Sequence, residues 1–113
     1  MPDIDQYRKA WSKFATGVSV IISRDDTGAV HGMAANGITS VSLDPMLVLV
    51  CVDHSRNTYK RIKETGKFSI NILNHNQTAV AEYYARRPEK RIGEPPCELI
   101  FGKKYYNIIL NLN

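Results

Sequence analysis

The residues able to do chemistry gather between Gly32 and Thr58. Ser55-Arg56-Asn57-Thr58 reads as the opening of a helix. Its unpaired N–H groups and dipole make a seat for an anion, with the Arg56 cation beside it. Upstream, Thr39, Ser40 and Ser42 offer hydroxyl donors, and Ser40 and Ser42 share one face if that piece is extended. Before them, Ala34-Ala35-Asn36-Gly37 is so poor in bulk that a flat group can lie against its backbone. The set points to holding a molecule that is anionic at one end and flat at the other. Each part also has a plainer reading, since Ser and Thr are mostly surface residues and Ser55 suits a simple helix cap.

Other chemistries are excluded by spacing. His31, His54 and His75, with Cys51 and Cys97, have no zinc-ligand spacing. No glycine-rich loop runs from a strand into a helix, so neither a Walker loop nor a dinucleotide fingerprint is present. Nothing suggests a Ser–His–acid or Cys–His arrangement. The formal net charge of +4 suits a small anionic ligand. Arg86, Arg87, Lys90, Arg91, Lys103 and Lys104 are not clustered on an identifiable recognition element, so no nucleic acid partner is expected. Apolar runs stay far below the ~20 residues of a membrane helix, and the acidic N-terminus is no signal peptide. With two cysteines and no disulfide framework, the reading is a soluble cytoplasmic protein with no membrane partner.

The elements that must position these residues follow from periodicity. Asp3 caps a first helix and Gln6 completes a capping box. Ile4, Tyr7, Trp11 and Phe14 form its apolar stripe, expected to pack in the core, and Gly17 is expected to end it in the left-handed conformation. Val18 to Ser23 and Ala29 to Ala35 read as a hairpin around Asp25-Asp26-Thr27-Gly28. Ile38 to Leu43 is a further extended piece, turned by Asp44-Pro45. Met46 to Val52 is apolar without alternation, hence expected to be buried on both faces, with Cys51 a small core residue. A second helix opens at Ser55 and closes at Gly66. Lys67 to Leu73 alternates, with Phe68, Ile70 and Ile72 on one face. Asn74 or Asn76 caps a third helix through Val80 and Tyr83-Tyr84, stopped by Pro88. Short spacings and a hairpin predict one mainly antiparallel α+β domain, residues 1–113, or a small barrel. The last nine residues, Tyr105 to Asn113, read as one strand or an unpartnered tail.

Phe14-Ala15-Thr16-Gly17-Val18-Ser19-Val20-Ile21 resembles the opening of the flavin reductase-like family, also called FMN-binding split barrels. His31 to Pro45 is similar to its most distinctive segment. Met46 to Thr58 and Gly66 to Leu73 with Gln77 continue the likeness, which is collinear from about Tyr7 to Ala85. The resemblance implies a mainly β, six-stranded antiparallel Greek-key split barrel with flanking helices, working as a homodimer. It implies reduction of free FMN or FAD by NADH or NADPH, often for a separate monooxygenase. Carried over, Ala34, Ala35 and Asn36 would line the flavin ring. Ser40, Ser42, Ser55, Arg56 and Thr58 would hold the phosphate, and Cys51-Val52-Asp53 would pass beside the flavin by backbone contact. No catalytic nucleophile is expected, because hydride transfer needs alignment more than acid or base groups.

Two departures accompany the likeness. Gly37 stands where relatives often carry Ser, and the family's later Gly-Asp-His-type segment is missing, with residues 94–113 unlike the family. The expectation is a C-terminally truncated domain. Beside the reductase stand two alternatives, a non-catalytic flavin-binding or dimerising fragment and a flavoredoxin-like electron carrier.

Overall fold

The computed structural model describes residues 1–97. Five strands lie between three helices: α1 (Ile4–Trp11), β1 (Ser19–Arg24), β2 (Val30–Ala35), β3 (Ile38–Leu43), β4 (Met46–Val50), α2 (Asn57–Thr65), β5 (Ser69–Ile72) and α3 (Thr78–Ala85), followed by a 3-10 turn at Pro88–Lys90. All pairings are antiparallel, in one sheet ordered β2-β1-β5 and a second made by β3 and β4. This is the expected antiparallel sheet with flanking helices. Among the described residues the two sheets do not close into a barrel.

Alternation along β1 explains the layering. Ile21 faces one side of the first sheet and meets Met33, Val50 and Ile62, the last from α2. Val20 faces the other side and meets Val80 and Tyr84 of α3. The sheet is thus buried on both faces, with α2 over one and α3 over the other, and apolar burial of this kind is the main stabilising contribution.

Local chemistry sets the element ends. The capping box forms: the Gln6 N–H donates to Asp3 Oδ1 at 2.8 Å, and the Asp3 N–H donates to Gln6 Oε1 at 3.0 Å. Gly66 ends α2 at φ 67°, a backbone that a side chain would strain. At the β1–β2 turn, Gly28 takes φ 87° and Asp25 binds the loop together. Its carboxylate accepts from the Thr27 hydroxyl, from the Thr27 and Ala29 N–H groups, and lies 3.0 Å from His31 Nε2.

These contacts, the Thr27 hydroxyl first and His31 second, hold the Asp25 carboxyl well below the usual carboxylate range. A depressed folded-state value adds stability that is complete above the unfolded value, about 4, and lost as pH falls below it. Urea midpoints measured from pH 6 down to pH 3 should therefore fall, and Asp25→Asn should flatten that slope. An equal slope in the variant would remove Asp25 as its source.

Several expectations are corrected. The first helix ends at Trp11 with Ser12 as a right-handed cap, and Gly17 does not take a positive φ. The turn tightens instead through Lys13 N–H to Ala10 O and Phe14 N–H to Trp11 O. Trp11 and Phe14 are 54% and 61% exposed rather than in the core, stacked edge-on at 5.3 Å. Periodicity identifies an apolar face but not what covers it. β4 is likewise not buried on both faces: Met46, Leu47 and Leu49 are exposed, because β3 is its single partner strand among the described residues. Cys51 is exposed and lies just past Val50, the last residue of β4. Phe68 and Ile70 pack on the core, whereas Ile72 lies beyond it and is exposed. Arg56 rather than Ser55 is the residue that caps α2, and Gln77 rather than Asn74 or Asn76 that of α3. The asparagine side chain acts one step earlier, with Asn74 Oδ1 accepting from the Asn76 N–H. The expected strand or tail at Tyr105 to Asn113, with Lys103 and Lys104, lies outside the described residues.

Candidate anion and flavin site

Among the described residues β2 is an edge strand, and a groove of about 260 Å³ opens beside it. Its walls are Val30 to Gly32 of β2, the α2 opening from Ser55 to Thr58, and Arg87 to Glu89 with Arg91 after α3. Drug-sized ligands fill pockets of roughly 300–1,000 Å³, so this groove suits one end of a ligand such as a phosphate. Three arginines, Arg56, Arg87 and Arg91, face a single acidic wall residue, Glu89.

The turn before α2 explains why that helix start stays open. Asp53 Oδ1 accepts from both the N–H and the hydroxyl of Ser55, each at 2.8 Å. The Ser55 N–H, then its hydroxyl, hold the Asp53 carboxyl below its ordinary value. Ser55 is thereby spent on Asp53 and does not cap the helix. Arg56 takes the cap position, and its side chain makes no capping hydrogen bond there. Such a helix start is complementary to a bound anion.

The arginines are held differently. Arg87 is exposed, its Nη2 3.5 Å from Ser55 Oγ. Arg56 Nη2 donates to Tyr84 O at 3.2 Å. Arg91 reaches back across the sheet edge, where Nη2 donates to Gly32 O at 2.7 Å and to Tyr84 O at 3.4 Å. Its Nε donates to Tyr83 O at 3.2 Å and to Arg86 O at 3.1 Å. The guanidinium also lies over the rings of Tyr83 and Tyr84 at 5.4 and 5.1 Å. Burial, foremost, holds its value below that of an ordinary arginine, with Arg56 adding to the effect and the two tyrosines opposing it. Arginine remains charged throughout.

The residues expected from sequence fall into four groups. Ser55, Arg56 and Thr58 line the groove, although Thr58 is only 2% exposed. Asn36, Cys51, Val52 and Asp53 lie outside the groove lining, with Asp53 tied to it through Ser55. The Cys51 N–H donates to Gly37 O at 2.8 Å, and Asp53 binds Ser55. A Cβ at Gly37 would stand 3.1 Å from that of Cys51, so glycine there admits the neighbouring strand end. Ala34 and Ala35 are half-buried and face opposite sides of the sheet, one on the Val20 cluster and the other on the Ile21 cluster. Ser40 and Ser42 do not share a face. A bulge leaves Ser40 opposite Val48 and Ser42 opposite Leu47, consecutive residues whose side chains point to opposite sides. The small residue at Gly32 gives room to the chain's own Tyr84 ring.

Sequence reasoning missed His31, Arg87 and Arg91 as groove residues. In the sequence these arginines follow the end of a helix without clustering on a recognition element, and no local signal ties them to a groove. Among the described residues no cluster of His, Cys, Asp and Glu could hold a metal ion, and no helix is long and apolar enough to cross a membrane.

An NADH-dependent flavin reductase of Rhodococcus sp is 44% identical over 80 residues, covering 69% of this chain and 46% of that protein. The flavin reductase component BorF of a bacterial two-component tryptophan halogenase is 41% identical, with TM-score 0.71 over 82% of this chain and 56% of that one. The NADH:FAD oxidoreductase SgcE6 of Streptomyces globisporus C-1027 is 31% identical, with TM-score 0.76 over 89% of this chain and 59% of that one. The chain therefore spans about half the length of these relatives, and it shares their split-barrel architecture. The flavin reductase like domain matches residues 11–104, and the chain belongs to that family.

Proposed function

We propose that the chain binds FMN or FAD with its phosphate in the Arg56–Arg87 groove and serves reduction of that flavin by NADH or NADPH. The observation that carries the reading is the uncapped start of α2 flanked by Arg56 and Arg87, which fits a phosphate in charge and size. Asn36, Cys51 and Asp53 are exposed, and Asp53 binds Ser55 at the phosphate seat, which supports a ring lying along that segment. Bound flavin supplies the two-electron chemistry. The chain's own part is to hold the anion, to orient the ring by backbone contact at Cys51 to Asp53, and to leave one ring face open for the nicotinamide. With the two serine hydroxyls on opposite faces, no more than one of Ser40 and Ser42 adds to the phosphate seat.

Two further parts of the reading rest on surface and on likeness. Leu43, Met46, Leu49, Trp11 and Phe14 leave apolar surface exposed, which supports a second copy of the chain as their cover. Relatives that are reductase components, of a tryptophan halogenase and of a trigonelline monooxygenase, support a separate oxygenase as the consumer of reduced flavin. Both steps belong in the cytoplasm.

The test is a titration of FMN with the full chain, followed by flavin fluorescence and then by NADH consumption. Saturable quenching is expected, weakened about tenfold or more by Arg56→Ala, the usual scale of a lost charge-assisted hydrogen bond. A cooperatively folded chain that leaves FMN fluorescence unchanged would refute the reading.

A further inference from the structure

We propose that Arg91 is a positioning residue, which clasps β2 to the end of α3 and so fixes Tyr84 O as the seat that holds Arg56 at the anion groove. The inference rests on the reading of the groove as a phosphate seat.

Two observations carry it. First, Arg91 spends its fork on carbonyls rather than on the groove. It bridges Gly32 O on the open edge of β2 to the carbonyls of Tyr83, Tyr84 and Arg86. An edge strand leaves outward carbonyls needing donors, and the last turn of a helix likewise leaves its carbonyls without partners. One planar guanidinium satisfies both from nitrogens spread along its fork, whereas a lysine presents all its donors from one nitrogen.

Second, Arg56 depends on the same atom. Its Nη2 and the Nη2 of Arg91 meet on Tyr84 O, at 3.2 and 3.4 Å. Two guanidiniums that close repel one another. The carbonyl dipoles ending α3 and the faces of Tyr83 and Tyr84 offset that repulsion. What remains unbalanced is an excess of positive charge at the α2 opening, where an anion is received. Without Arg91 the α3 end keeps the Tyr84 packing but loses its hydrogen-bonded tie to Gly32 O, and the acceptor that holds Arg56 is less fixed.

The test compares FMN with riboflavin, which lacks the phosphate, in the full chain and in Arg91→Lys, Arg56→Ala and the double variant. Arg91→Lys should lower the preference for FMN over riboflavin about tenfold while leaving riboflavin affinity within about twofold. The double variant should lose little more than either single one, because both act through one contact. A preference unchanged in Arg91→Lys would overturn the proposal. So would an equal fall in both affinities, the mark of a purely structural lesion. No preference for FMN in the unsubstituted chain would instead bring down the phosphate reading itself, and the proposal with it.

A second measurement needs no variant. Inorganic phosphate added to the unsubstituted chain should shift the Arg56 side-chain NMR signals and leave the Arg91 Nε–H signal in place. Movement at Arg91 with Arg56 still would make Arg91 the ligand and overturn the positioning role.

Discussion

Tyr84→Ala should destabilise the chain by about 3–5 kcal/mol, the usual range for removing a buried aromatic side chain. The ring is 3% exposed and forms, with Val20 and Val80, the cluster between the first sheet and α3. It also lies directly on Gly32 and beneath the Arg91 guanidinium. Its loss therefore opens a cavity and removes a face that offsets the buried Arg91 charge. Denaturant unfolding measures the difference. Tyr84→Phe keeps the ring and should cost only about 0.5–1.5 kcal/mol, the net scale of one hydrogen bond. The hydroxyl has its own signature: burial first, then the neighbouring Cys97, push its ionisation up to about 12. In an alkaline absorbance titration this tyrosine should ionise about two pH units later than a free one. A raised folded-state value means stability held at neutral pH and lost as pH climbs from about 10 towards 12. A cost below about 1.5 kcal/mol for the alanine variant, with normal tyrosine ionisation, would contradict this packing.

What the sequence made legible were the features with local causes. Asp3 and Gln6 announce a capping box because the two residues satisfy each other's backbone within one turn. Gly28 and Gly66 mark turns because the backbone there needs a positive φ. The start of α2 was placed to within a residue, and with it Ser55, Arg56 and Thr58. What stayed illegible depended on distance along the chain. Arg91 and Gly32 are 59 residues apart, and nothing near either one announces the bond. The bulge between Ser40 and Ser42 carries no glycine or proline to mark it, so simple alternation assigned both hydroxyls to one face. The apolar runs in α1 and β4 were read correctly as apolar. Their cover was not, because periodicity reports a face's affinity for other surfaces and leaves the partner unspecified.

At Gly32 the group that approaches the sparse strand is the Tyr84 ring. A Cβ placed at Gly32 would stand 2.7 Å from Tyr84 Cε1 and 2.8 Å from Cδ1, closer than side chains tolerate. Gly32→Ala should therefore cost about 1–3 kcal/mol by overpacking, although alanine normally suits a strand better than glycine. The decisive comparison is the double variant. With Tyr84 already alanine, the added methyl meets space rather than a ring, so Gly32→Ala should cost almost nothing or add stability. The two substitutions should thus be strongly non-additive, by about 1 kcal/mol or more in the double-mutant cycle. Gly37→Ala serves as the contrast, because its nearest neighbour is the exposed Cys51, 3.1 Å away, which a few tenths of an ångström of movement relieves. Additive costs at Gly32 and Tyr84 would mean that the ring does not rest on that glycine, and the seat of Arg91 and Arg56 would then need another support.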